Sequence, residues 1–322
     1  MSPRKRRRPK GSSNNNPLAL DRMFGLVVER PFTPAMPAVL YHYTNWRAAA
    51  GILTTQEFWA TAHDCTNDEA ELKSADVIIM EVARHLRRTA RGAAALVLDL
   101  FLEGYPSVGT NELKTVYLTC FSAARDDKEQ WRKYADNGQG LCLGVRILEE
   151  PPPLPTDRRT ATLEVVYSES SWRANILASF REICSVMERA ASSRRNGELG
   201  LSALYRFAAF AAIGAKHQKW SGEQEFRNVT MVYPEAGVQP SVRKAGDKIV
   251  RYLPTLVRAD GKKIALAEVM VGPNQDFDDA RQRIIKTLAD CGYEIGIMEY
   301  PTIVASAEAP WFPSPIAEHA VP

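Results

Sequence analysis

The sequence predicts an α+β fold, and three observations carry that expectation. Short runs rich in β-branched and aromatic residues recur along the chain. Helical patterns separate some of them, but without the strict strand–helix–strand alternation of a doubly wound sheet. Two long helical patterns, at about 170–219, interrupt a run of strands and read as an insertion or cap.

VLYHYT at 39–44 predicts a short strand, WRAAAGIL at 46–53 a helix and EFWAT a second strand, followed by the polar loop AHDCTNDEAE. Apolar residues at helical spacing predict a helix from Ala75 to about Arg91, and the continuous run AALVLDLFL at 94–102 reads as a strand or buried segment. TVYLTCFS at 115–122 predicts a strand leading into the helix DKEQWRKYAD, which stops at Asn137 and Gly138 in the manner of a glycine cap. LCLGVRI and TATLEVVYS predict strands on either side of the PPPLPTDR loop. The helical pair that follows is split by an RRNGE turn. WSGEQEFR then predicts a strand running on into VTMVYP, with Glu223, Glu225 and Arg227 in a row on one face, roughly 6–7 Å apart. KIVRYLP and KIALAEVMVG are further strands, DFDDARQRIIKTLADCG an amphipathic helix and YEIGIMEY a last strand.

With 322 residues and 45% apolar content, the chain buries a core of its own. Arg4, Lys5, Arg6, Arg7, Arg8 and Lys10 account for six of the 41 basic residues, so the rest of the chain is near neutral against 38 acidic ones. Residues 1–34 are expected to be a disordered basic tail and linker, and 35–322 a single domain with the helical insertion at about 170–219. Such a tail either contacts nucleic acid through phosphate attraction or serves as a solubilising leader. Five cysteines without a CxxC pair argue against a disulfide framework and a zinc site, and point to the cytoplasm. Asp21 and Arg22 break the apolar run after the tail, no stretch reaches membrane-spanning length, and no membrane association is expected.

Several residues draw attention as chemistry. His42 sits between two tyrosines at a strand end, where a structural histidine is the commoner finding. Trp131 and Tyr134 share a helix face at i, i+3, a spacing usual for core aromatics. GQG at 138–140 ends a helix instead of opening one and is not a phosphate cradle. Asn67, Asp68 and Glu71 either bind a metal or cap the next helix, with capping preferred. His63, Asp64 and Cys65 are consecutive, a poor arrangement for joint ligation or nucleophilic catalysis.

The ordered set LYHYT, WAT with NDxxE, CFS followed by W-x-x-Y-A and a G-x-G strand, K-x-x-x-W-x-x-E-x-E-x-R, and VGP before a last helix resembles the bacterial family catalogued as domain of unknown function 2971, over about residues 38 to 310. Thr66 and Glu69 stand where that family commonly has Phe and Pro around its NDP. The family is similar in turn to the ADP-ribosyltransferase fold, a split β-sheet core with flanking helices and three signature positions on separate strands. The resemblance implies NAD as substrate. It matches His42 to the position that holds a ribose of NAD, Ser122 to the second position, with Tyr134 as an alternative, and Glu225 to the catalytic glutamate. Glu223 resembles the extra acidic residue of E-x-E versions.

Cleaving the nicotinamide–ribose bond develops oxocarbenium character, which a carboxylate such as Glu225 stabilises electrostatically, while nicotinamide leaves neutral and needs no general acid. Glu223 is expected to orient or deprotonate the acceptor. Tyr43, Trp131, Tyr134 and Trp220 are candidates to hold the cationic ring, and Thr44 adjoins His42 at the same strand end. Arg227 either neutralises a phosphate or braces Glu225. The expected activity is transfer of ADP-ribose to a protein or nucleic acid, in keeping with a toxin or antiviral defence effector. An NAD glycohydrolase and a non-catalytic nucleic-acid-binding protein are the alternatives.

Overall fold

The computed structural model describes residues 37–311, apart from 66–68, 109–115, 147–157, 190–193, 233–236, 246, 256–257, 260–262 and 294–300. The basic tail, the proline-rich stretch and nearly all of YEIGIMEY lie outside the described residues, as do Asn67 and Asp68. In chain order the elements are β1 (Val39–Thr44), α1 (Trp46–Thr55), β2 (Phe58–Ala62), α2 (Glu69–Arg87), α3 (Gly92–Val108), β3 (Val116–Ser122), α4 (Lys128–Tyr134), β4 (Leu141–Arg146), β5 (Arg158–Glu164), α5 (Glu169–Arg189) and α6 (Arg194–Ile213). Then come β6 (Glu225–Val232), β7 (Ser241–Ala245), β8 (Lys248–Thr255), β9 (Arg258–Ala259), β10 (Lys263–Ile264), β11 (Leu266–Val271), α7 (Phe277–Asp290) and β12 (Thr302–Ala305).

Ten of these strands form one sheet in the order β12-β11-β4-β1-β3-β2-β8-β7, with β6 paired to β3 and β5 paired to β6. Its pairings are antiparallel except β11 with β12. That mixture, with helices on both faces, is the α+β class the strand-rich sequence predicts. β3 is the branch point. One edge pairs with β6 along its length, from Val116↔Met231 to Ser122↔Glu225. The other edge changes partner: Ser122 faces Tyr41 of β1, whereas Leu118 and Tyr117 face Thr61 and Ala62 of β2. Between those contacts the sheet splits.

Helices α2, α3, α5 and α6 pack on one another and cover one face, burying Ile79, Leu98, Phe101, Phe180 and Phe207 against Leu118 and Val229 of the sheet. The helical pair expected as an insertion is therefore half of a four-helix layer. On the other face α1 and α7 lay Leu53 and Ile284 over Leu40, Phe58, Phe121 and Phe226.

Four expectations are corrected. AALVLDLFL is part of helix α3: Leu98, Phe101 and Tyr105 are buried while Leu96 and Leu100 are exposed, a helical period that a continuous apolar run conceals. Helix α2 begins at Glu69, ahead of Ala75. RRNGE is the first turn of α6. WSGEQEFR is only half strand: residues 218–223 form a 3₁₀ turn, Gln224 takes the left-handed conformation (φ 43°, ψ 49°), and the strand starts at Glu225.

The GQG segment is a packing device. Gly138 has φ 83°, and a Cβ on Gly140 would stand 2.2 Å from the Thr44 carbonyl oxygen. Glycine lets the start of β4 close on the end of β1.

Candidate functional site

Strand alternation decides what β1 contributes. Tyr41 and Tyr43 point to one face, and Leu40 and His42 to the other. His42 packs edge-on against Phe58, with centroids 5.1 Å apart, and at 5.6 Å from Phe121. Its Nδ1 is 2.9 Å from the Cys120 carbonyl oxygen, on the β3 edge between the β1 and β2 contacts. A carbonyl only accepts, so Nδ1 carries the proton and Nε2 the lone pair. Burial lowers the pKa of His42, so the imidazole is neutral at pH 7.

The face opposite His42 carries Glu225 and Arg227 of β6, in register with Ser122 and Cys120. Arg227 donates through Nε to Glu225 Oε1 at 2.8 Å and through a terminal nitrogen to Oε2 at 3.2 Å, and it also holds the Ile213 carbonyl. This is the bracing geometry of its two expected roles, with the guanidinium fork bonded to Glu225. Glu225 Oε2 also accepts from Lys216 Nζ at 2.8 Å, and the Glu225 backbone N–H donates to the Tyr167 hydroxyl at 2.8 Å. Burial alone would raise the Glu225 carboxyl, but the Arg227 and Lys216 cations outweigh it and hold the pKa at about 2. The same carboxylates keep Lys216 charged, above its ordinary range, against the burial that opposes it.

Glu223 reaches this cluster from the 3₁₀ turn, not from the strand. Its Oε2 accepts from Lys216 at 2.6 Å; Oε1 accepts from the Tyr134 hydroxyl at 3.0 Å and Lys133 at 3.2 Å. Both glutamates are 6% exposed, so two buried carboxylates face the three cations Lys133, Lys216 and Arg227. His63 is buried beside Arg227; burial first, then that guanidinium, depresses its pKa to about 4.

Three of the residues expected at the ligand are engaged in internal contacts. Ser122, 3% exposed, donates to the Glu223 carbonyl at 2.7 Å and accepts from the Ala124 N–H at 3.0 Å, so its hydroxyl pins the 3₁₀ turn. Trp131 is fully buried; its indole donates to Asp126 at 2.6 Å, and its ring lies edge-on to Tyr43 at 5.0 Å. The Tyr43 hydroxyl donates to the Ala124 carbonyl at 2.8 Å and accepts from the Asp127 N–H at 3.1 Å. Asp127 caps α4 and turns Trp131 inward, so Trp131 and Tyr134 diverge: Tyr134 stays 48% exposed. Trp220 remains at the site with the Lys133 and Lys219 ammonium groups 4.2 and 5.0 Å from its ring centre.

Glu223, Glu225, Arg227 and Lys133 border one cavity of about 1330 Å³, larger than the ~300–1,000 Å³ of pockets for drug-sized ligands. His42 and Thr44 line it together with Tyr134, Lys216, Trp220 and Glu225. Two strand spacings separate β1 from β6, roughly 10 Å. The split in the sheet is what gives His42 and Glu225, on opposite faces, access to the same space. The cavity also reaches Arg47 of α1, Trp59 of β2, and Arg243 and Lys244 of β7.

Reading the residues alone missed Lys216, Lys133, Tyr167 and His63 as parts of the site. Lys216 carried a signal, since it heads the K-x-x-x-W-x-x-E-x-E-x-R run four residues before Trp220.

Residues 130–228 match the model of a family described as protein of unknown function, DUF2971. The matched segment contains Lys133, Tyr134, Lys216, Trp220, Glu223, Glu225 and Arg227; His42 and Ser122 precede it. Comparison with curated proteins and with solved structures returned no match.

Proposed function

We propose that this chain, a member of the DUF2971 family through residues 130–228, is an NAD-dependent ADP-ribosyltransferase with an ADP-ribosyltransferase-like split sheet. One observation carries the reading: a histidine of β1 and a buried glutamate whose pKa is held at about 2 border a single cavity where the sheet divides. In the reaction the bond between ribose C1′ and the nicotinamide nitrogen breaks, and its electron pair leaves with nicotinamide. The acceptor's O–H or N–H adds to C1′, and its proton passes to Glu223. Glu225 stabilises the positive charge that grows on the ribose. The lone pair on His42 Nε2 accepts a hydrogen bond from a ribose hydroxyl, a role that needs the neutral ring.

Lys216 modifies the field that Glu225 presents to the ribose. A carboxylate bonded to two cations exerts a weaker field on a developing cation than a bare one. Arg227 is held by Ile213 as well, but Lys216 has a flexible stem and turns from Glu225 to the NAD pyrophosphate when substrate binds.

The test is incubation of the pure protein, with and without cell extract, with NAD labelled in the adenylate half. Label on macromolecules supports transfer, and free ADP-ribose supports hydrolysis to water. Glu225→Gln should lower either product roughly 10²–10³-fold. No nicotinamide release under any condition rejects the reading, leaving the non-catalytic alternative.

A further inference from the structure

We propose that the β2–β8–β7 end of the sheet is a docking surface for single-stranded nucleic acid, which names the acceptor class for the activity proposed above and rests on that reading for its biological sense. Trp59 of β2 is a large aromatic left 42% exposed, and it stacks on Tyr252 of β8 with ring centres 4.6 Å apart and planes at 27°. The two meet because Trp59 pairs with Pro254 and Thr61 with Tyr252, which places Trp59 and Tyr252 on one face of neighbouring strands. Arg243 of β7 lies 6.0 Å from the Trp59 ring centre. Among the described residues β7 pairs with β8 alone, so it forms an edge of the sheet, and its Arg243 and Lys244 are exposed.

Charges on an edge strand commonly serve to block edge-to-edge association. That role does not account for an exposed tryptophan beside them, nor for the position of all three residues on the cavity wall that also holds Glu225. Exposed aromatic rings beside cations are the elements by which proteins hold unpaired bases and their phosphates. A duplex buries its base faces in its own stack, whereas a single strand offers them. Arg47, exposed on α1, extends the cationic rim along the same cavity. A strand stacked on Trp59 and Tyr252 therefore has its backbone over Arg243, with Lys244 beside it at the sheet edge, and its next nucleotide at the cavity mouth. The basic tail is of the same sign and adds to the attraction at long range.

The experiment uses full-length protein, without NAD, and a labelled twelve-nucleotide single-stranded RNA and DNA of mixed sequence, read by fluorescence anisotropy over a salt series. Trp59→Ala should weaken binding about 5- to 100-fold, as expected for loss of one base stack. Trp59→Phe should keep most of it, and Arg243→Ala with Lys244→Ala should lower the salt slope by roughly 1–2. Ultraviolet cross-links should map to peptides containing Trp59 or Tyr252. Unchanged affinity in Trp59→Ala, cross-links confined to the first ten residues, or equal preference for duplex overturns the proposal. Because binding is measured without turnover, NAD cleavage by a protein that fails this test leaves the activity standing and removes only the surface.

Discussion

Lys216 and Glu225 form a buried ion pair of 2.8 Å, and the same ammonium reaches Glu223 at 2.6 Å. The lysine comes from the chain just after α6, the glutamate from the start of β6, and the 3₁₀ turn between them closes the loop. Without the lysine two carboxylates face each other with less compensation. Lys216→Met should therefore cost about 3–5 kcal/mol of stability, the usual effect of removing one partner from a buried pair. Adding Glu223→Gln should recover part of that loss. Urea denaturation of the two variants checks both points, and a Lys216→Met midpoint equal to wild type contradicts them.

Acid stability should fall in two steps. The folded pKa of His63, about 4, lies below its ordinary 6.5, so the unfolded chain takes up that proton first and stability is lost as pH falls from 6.5 to 4. Glu225 is held at about 2 against an ordinary 4.5, so its contribution is complete above pH 4.5 and disappears as pH falls through that value toward 2. Each step is worth about 3 kcal/mol. Urea titrations across pH should show His63→Gln flattening the upper step and Glu225→Gln the lower one.

His42 should act in binding and not in proton transfer. His42→Ala is expected to raise KM for NAD about tenfold and to change kcat much less. Any inflection that His42 gives to wild-type kcat/KM should lie below pH 6.5, because burial lowers its pKa from that value. Initial rates of nicotinamide release from pH 5.5 to 8.5 measure both quantities.

Ser122→Ala should lose about 1–3 kcal/mol by stranding the groups its hydroxyl joins, the Glu223 carbonyl and the Ala124 N–H. A ligand contact would instead change KM at unchanged stability. Thermal melts alongside NAD kinetics separate the two, and an unshifted Tm rules out the pinning role.

Much of the fold is legible in local pattern, and the failures have physical causes. VLYHYT matches β1 residue for residue because β-branched and aromatic residues end at Asn45, whose side chain caps α1 through the Ala48 N–H. The apolar run in α3 hides its period because the exposed face carries Leu96 and Leu100, so burial could not be told from helicity. In WSGEQEFR the i, i+2 spacing of the glutamates implied a flat row. The left-handed Gln224 breaks the strand between them and still brings both carboxylates to one ammonium. Lys216 was written into the same motif, but its partners depend on how a turn closes, which no periodicity encodes. Among the four expected aromatics, Tyr43, Tyr134 and Trp220 reach the cavity wall, whereas the buried Trp131 does not and packs edge-on against Tyr43.

The partner change along β3 sets when this site comes into being. Tyr41, Ser122 and Glu225 lie side by side in register, yet they are drawn from the first, second and last thirds of the chain. A ribosome that has not passed Glu225 holds a polypeptide with no complete pocket, and a protease that separates β1 from β6 and lets the pieces drift apart erases it. The pocket is thus complete only once the first 225 of the 322 residues have been made, and a fragment that ends before Glu225 lacks it.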